Sequence, residues 1–201
     1  MDLSFLWIIF AMADYGVLHS LLASNRVKNN IKKQNPAFYA RYYRLIFNII
    51  GFVTLIPVGL LVMVLPDQPL YQIPYPFSLI TFIVQGLAGL GALVVLSGTG
   101  AGSFLGLNQL MGMNEGPGRL KTDGFYRYMR HPLYTLSLII IWLLPWMTVN
   151  RLAFIASTTA YLLIGAIFEE RKMLQEFGEE YARYKAATPM FIPDIRKILE
   201  K

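Results

Sequence analysis

Five blocks of apolar residues alternate with short polar segments along this chain, over residues 3–24, 45–65, 78–98, 132–149 and 152–168. Inside each block apolar side chains follow one another without the 3.6-residue alternation of a helix that shows one face to water. A run of roughly 18 or more such residues can cross a bilayer as a helix. The pattern predicts an all-α, polytopic membrane protein with five transmembrane helices. Only Asn150 and Arg151 separate the last two blocks, so these helices should form a tight antiparallel hairpin, with Pro145 kinking the first of them. Residues 169–188 hold no proline, so the fifth helix should run on as a cytoplasmic C-terminal helix. Met173, Phe177, Tyr181 and Tyr184 would then share one face, and Pro189 and Pro193 end the helix.

Charge orients this layout. Of 18 Lys and Arg, six lie in residues 25–44, which hold no acid, four in 99–131 and seven after Phe168. Only Arg151 lies on the opposite side. Five crossings put the three basic segments on one face, with the N-terminus outside and the C-terminus cytoplasmic, as the positive-inside rule requires. The net charge of +6 therefore reports topology and contact with anionic lipid rather than nucleic acid. The chain is 55% hydrophobic and only 15% charged, against about a quarter charged in a soluble domain. The absence of cysteine excludes disulfides, thiolate metal sites and cysteine nucleophiles. With two histidines as well, no protein-held metal is expected. The tyrosine-dotted loop 25–44 suits the headgroup region. Loop 99–130 is long and carries Gly100, Gly102, Gly106, Gly112, Gly116, Gly118 and Gly124, and such loops are often functional.

The candidate chemistry gathers at the ends of the last hairpin. In Arg130-His131-Pro132-Leu133-Tyr134, Pro132 suits the first helical position. His131 then caps the helix, and the free amides of Leu133 and Tyr134 form an anion site to which Arg130 and His131 add donors. Antiparallel helices of similar length bring Glu169 and Glu170 back to this level. Acids beside an anion site suit a zwitterion, although both glutamates also fit a simple membrane boundary beside Arg171 and Lys172. Gly89 and Gly91 permit close approach by a helix or a flat ligand. Asp14 and His19 are ionisable groups at membrane depth, hence functional candidates. His19 suits a general base, a haem ligand or a hydrogen-bonding strut. The phosphate-loop, H-E-x-x-H and dinucleotide fingerprints do not occur.

The ordered elements Gly124-Phe125-Tyr126, Arg130 to Tyr134, Glu169-Glu170-Arg171, Phe177-Gly178-Glu179-Glu180-Tyr181, Tyr184 and Pro189 resemble the isoprenylcysteine carboxyl methyltransferase superfamily. The resemblance covers about the last 85 residues. Gly89-Leu90-Gly91 with Glu169-Glu170 is similar to the cofactor motifs of membrane phospholipid N-methyltransferases. Residues 19–24, Tyr43-Arg44-Leu45 and Pro145-Trp146-Met147-Thr148 resemble the nurim and NnrU group, which includes methanethiol S-methyltransferases.

The resemblance implies one integral membrane methyltransferase domain over residues 1–201. A three-helix part would cover 1–98, and the cofactor loop, hairpin and C-terminal helix 99–201. It implies S-adenosylmethionine as cofactor and S-adenosylhomocysteine as product. The acceptor would be small or lipid-soluble, with a thiol favoured over a lipid amine or carboxylate. Implied cofactor contacts are Gly89, Gly91, Gly118, Arg119, Leu120, Lys121, Tyr126, Arg130, His131, Pro132, Leu133, Tyr134, Glu169 and Glu170, and His19 and Glu170 are the catalytic candidates. Prenylcysteine enzymes carry an arginine one turn before the glutamates. Gly165 stands there, which argues against a prenylcysteine substrate. The implied alternatives are a haem-dependent membrane isomerase and a non-catalytic nurim-like protein. Partners are membrane lipid and the acceptor, with the site at the cytoplasmic face of the membrane (the inner membrane in a bacterium).

Overall fold

The computed structural model describes residues 3–113 and 118–194. Gly116 of the glycine-rich loop and the basic residues Arg196, Lys197 and Lys201 lie outside them. Four helices are long and apolar enough to cross a membrane: α1 (Phe5–Ala23), α4 (Tyr43–Val64), α5 (Phe77–Gly98) and α9 (Val149–Ala187). The first three match the first three apolar blocks. Their surfaces suit lipid, because Trp7, Phe52, Met63 and Leu87 expose 66, 71, 80 and 63% of their area. Soluble monomers seldom leave that much contiguous apolar surface open.

The fourth block departs from expectation. Only α8 (Pro132–Trp142) is helical, 11 residues or about 16 Å, half of a hydrocarbon core. Pro145 has no N–H for a helical bond, and a residue that precedes proline avoids the α region. The chain unwinds before it, so Pro145 lies past the helix and kinks nothing. Strand β2 (Trp146–Thr148) follows and pairs antiparallel with β1 (Pro69–Gln72), with Tyr71 opposite Met147. Among the described residues, this ribbon is the one departure from helix in regular secondary structure. Asn150 and Arg151, expected as the turn, sit in the first turn of α9.

The chain divides into two compact units. The first comprises Met1–Gln72, Gly100–Gly116 and Trp146–Tyr161. Its core is Ile8, Met12, Val58 and Ala153, lined by Phe5, Leu55 and Phe154. Two short helices connect α1 to α4, and each has a side-chain cap. Val27 N–H donates to Ser24 Oγ at the start of α2 (Asn25–Gln34), and Phe38 N–H to Asn35 Oδ1 at the start of α3 (Pro36–Arg41). Further along, α6 (Ala101–Leu105) and α7 (Leu107–Leu110) dock through side-chain donors on carbonyls of their last turns. Arg44 Nε and Asn48 Nδ2 donate to Phe104 O, and Arg41 Nε to Leu110 O. Between α6 and α7, Gly106 has φ +87° and lies against the backbone of Arg44 and Leu45. Buried Asn150 holds the other end, donating Nδ2 to the carbonyls of Leu65 and Pro66 and its N–H to Asp67 Oδ1.

The second unit comprises Ile73–Thr99, Pro117–Pro145 and Leu162–Lys201. Here α5 and α8 pack through Ala88, Val95 and Leu136, and Gln85 Nε2 donates to Ile140 O at 2.7 Å. A polar bond of this kind between apolar helices fixes register where lipid offers no alternative partner. Lys121 Nζ caps the last turn of α5 at Gly98 O. The expected continuous helix after the fifth span is broken. Gly178 takes φ +52°, ψ −126°, open to glycine and strained for an L residue, and the helix changes direction there. Met173 and Phe177 therefore do not share one straight face with Tyr181 and Tyr184.

Candidate functional site

The polar residues of the second unit converge around His131. Backbone N–H groups of Arg130 and His131 donate to the carbonyls of Pro189 and Met190 at 2.9 and 3.0 Å. Thr135 Oγ1 donates to Phe191 O at 2.9 Å, and Asp194 N–H to Tyr128 O at 3.1 Å. The segment after α9 is thus laced along the entry to α8. Pro132 opens that helix and His131 occupies its cap position without a side-chain capping bond. The imidazole is instead buried between the rings of Tyr134 (centroids 5.3 Å apart, stacked) and Phe191 (5.6 Å).

Glu169 and Glu170 follow one another on α9, so their side chains diverge by about 100° and meet different partners. Glu170 is buried and takes two cations. Arg130 Nε lies 2.6 Å from its Oε1 and Lys185 Nζ 2.8 Å from its Oε2. Arg130 Nη1 donates to Lys185 O at 3.0 Å and to Thr188 O. His131 Nε2 lies 3.4 Å from Glu170 Oε1. Glu169 is half-exposed. Its Oε2 accepts from Tyr134 O–H at 3.0 Å and lies 3.8 Å from His131 Nδ1.

Burial pushes the His131 pKa below 6.5, outweighing the two glutamates that favour the imidazolium. Glu170 is already neutralised by Arg130 and Lys185, which leaves desolvation dominant. Burial, with the negative charge of Glu169, raises the Tyr126 phenol above its ordinary value. Beside the cluster opens a cleft of about 620 Å³ bordered by Arg130, Lys185, Thr188, Pro189 and Ile192.

Of the implied contacts, Arg130, His131, Tyr134, Glu169 and Glu170 meet directly. Tyr126 lies close enough for the charge of Glu169 to act on its phenol, and its carbonyl accepts from Tyr184 O–H at 2.6 Å. Leu133 packs in the α5–α8 core and Pro132 is buried. Gly91 faces Leu136 and Phe125, whereas nothing lies within 4 Å of a Cβ placed at Gly89. Gly118 lies near Glu176, Arg119 is exposed and Leu120 partly buried. Lys121 is taken up by the end of α5. Arg130 is engaged through Nε by Glu170 and through Nη1 by two carbonyls.

His19 belongs to the first unit. Its ring stacks on Tyr15 at 5.6 Å and tilts against Phe47 at 4.5 Å. Gly51 leaves room for the imidazole, and Nδ1 is buried with no hydrogen-bond partner. Asp14 is exposed on α1. Spacing gave no role to Lys185, Thr188 or Phe191, placed Tyr184 only on a helical face, and did not mark Gly178 as a bend. The glycine inside a charged helical run was the available signal.

A family model described as phospholipid methyltransferase matches residues 77–180. Methanethiol S-methyltransferase 1 of Bradyrhizobium diazoefficiens is 40% identical over 91 residues, 45% of this chain and 32% of that protein. Methanethiol S-methyltransferase of Crocosphaera subtropica is 42% identical over 81 residues, 40% of this chain and 32% of its own length. The Pseudomonas deceptionensis protein of the same name is 38% identical over 80 residues, 40% and 30% of the two chains. The chain spans about a third of the length of these curated relatives. No solved structure matches.

Proposed function

The chain belongs to the phospholipid methyltransferase family, and from that premise we propose that it is an integral membrane methyltransferase that uses S-adenosylmethionine and methylates a small or lipid-soluble thiol. One observation carries this reading. The family match over residues 77–180 contains both halves of the polar cluster, Arg130 to Tyr134 and Glu169-Glu170. The relatives' names favour a thiol over a lipid amine.

The residues fit the cofactor's amino-acid end. Glu169 is half-exposed with acceptor capacity to spare, the start of α8 supplies amides, and Tyr126 and Tyr134 provide rings beside them. S-adenosylmethionine brings a methyl group already activated on a sulfonium, so the protein has to align two reactants and exclude water. His131, Tyr134 and Glu169 would hold the methionine part. Glu170 is read here as a structural hub rather than a reacting group, because Arg130, Lys185 and His131 occupy it. We assign five crossings, with α8 and its unwound continuation as the fourth, the N-terminus outside and the site at the cytoplasmic face.

The test is incubation of the chain in nanodiscs with methyl-labelled S-adenosylmethionine and either ethanethiol or total lipid extract. Label in the thioether is the expected result. Label confined to a phospholipid amine would replace the thiol reading, and no transfer to any acceptor would end the enzymatic one.

A further inference from the structure

Glu170 and Glu169 flank the two nitrogens of His131 unequally. Both cations of the cluster, Arg130 and Lys185, go to Glu170, so this group is held as a carboxylate, which can only accept hydrogen bonds. The nearer imidazole nitrogen, Nε2 at 3.4 Å, must therefore bring the proton to it. A neutral imidazole has one N–H, so Nδ1 then carries a lone pair. That lone pair faces Glu169 Oε2 at 3.8 Å, beyond hydrogen-bond length. Two acceptors with no proton between them repel unless a donor enters. Glu169 itself is half-exposed, and the same Oε2 accepts from Tyr134 O–H at 3.0 Å, which leaves it acceptor capacity for a second donor.

We infer that Glu170 fixes His131 as the Nε2–H tautomer, so that Nδ1 and Glu169 Oε2 form a paired acceptor for a primary ammonium group. This rests on the cofactor reading above and names which group of an amino-acid-bearing ligand the pair takes. A carboxylate in the same place would face two acceptors and be rejected, and belongs at the amides that open α8. A quaternary ammonium has no N–H for Nδ1 and would bind weakly. Glu170 is then a positioning residue, acting through the imidazole, whereas His131 and Glu169 touch the ligand.

The chain has two histidines, which makes nitrogen-15 histidine NMR of the whole protein in nanodiscs readable, with His19→Asn used for assignment. Without ligand, His131 should show a protonated Nε2 and an unprotonated Nδ1, and S-adenosylhomocysteine should shift the Nδ1 signal. Glu170→Gln should populate the Nδ1–H tautomer. By calorimetry, the analogue of S-adenosylhomocysteine with hydrogen in place of the α-ammonium should bind roughly ten- to a hundredfold more weakly, a charged hydrogen bond being lost. Glu169→Gln should remove most of that difference. An Nδ1–H tautomer in the wild type overturns the inference. Equal affinity for the two ligands overturns the ammonium assignment alone. Failure of both to bind overturns the cofactor reading and this assignment with it.

Discussion

Lys185 Nζ lies 2.8 Å from Glu170 Oε2, although fifteen residues separate them on α9. On an unbroken helix that separation is about 22 Å. The reversal at Gly178 closes the gap and returns the end of α9 to the side of His131.

The ion cluster predicts unequal losses. Glu170→Ala leaves Arg130 buried without its counter-charge and should destabilise the protein by about 3–5 kcal/mol. Lys185 is 42% exposed and solvent screens it, so Lys185→Ala should cost no more than about 1 kcal/mol. Thermal unfolding of the two variants in one detergent measures the difference. Equal effects would mean that Glu170 is not the hub.

Gly178→Ala places a Cβ on a backbone that L residues avoid, at a cost of about 1–3 kcal/mol. Nothing lies within 4 Å of that Cβ, so strain alone acts. The expected signature is local: faster amide exchange over residues 179–194, with α4 and α5 unchanged. Uniform acceleration along the chain would contradict it.

Acid should weaken the fold through His131. Unfolded, the imidazole titrates near 6.5, whereas folded it titrates lower because it is buried. Between those two values the unfolded chain binds more protons, so stability falls as pH drops below about 6.5 and is complete above it. Glu169 and Glu170 from α9, with Arg130 and Tyr134 beside it, are the ionisable groups facing the ring. Melting temperatures across pH should show this decline in wild type and a shallower one in His131→Asn. Parallel curves would remove His131 as the source.

Two glycines should respond in opposite ways to alanine. At Gly106 a Cβ would lie 2.5 Å from Leu45 N, and backbone cannot move aside as a side chain does. With φ at +87° as well, Gly106→Ala should lower stability by at least about 2 kcal/mol. Gly89→Ala meets open space and should change it by less than about 1 kcal/mol. Weaker S-adenosylmethionine binding in Gly89→Ala at unchanged stability would support the cofactor role carried by its motif, and unchanged binding would remove it.

Four of the five expected spans, all but the fourth block, were legible because hydropathy and length are enough to specify a helix that could cross a membrane. The same measure could not see that residues 143–148 leave the helix, since Trp146 and Met147 are as apolar in a ribbon as in a span. Only the hydrogen bonds to β1 distinguish the two. The approach of Glu169 and Glu170 to His131 was legible from antiparallel geometry. How the charges divide among partners was not. Arg130 and Lys185 could each have met either glutamate, and the approach of Lys185 to Glu170 depends on the bend at Gly178, which a single glycine in a helical run hints at without specifying its direction.

The carbonyls that hold Arg130 and His131 belong to residues 185–190. The apolar segments that a translocation machine would read end near residue 168. The stretches long and apolar enough to cross a bilayer and the stretch that completes the polar cluster around His131 are therefore different. A chain stopped at Gly178 would integrate normally and remain chemically unfinished.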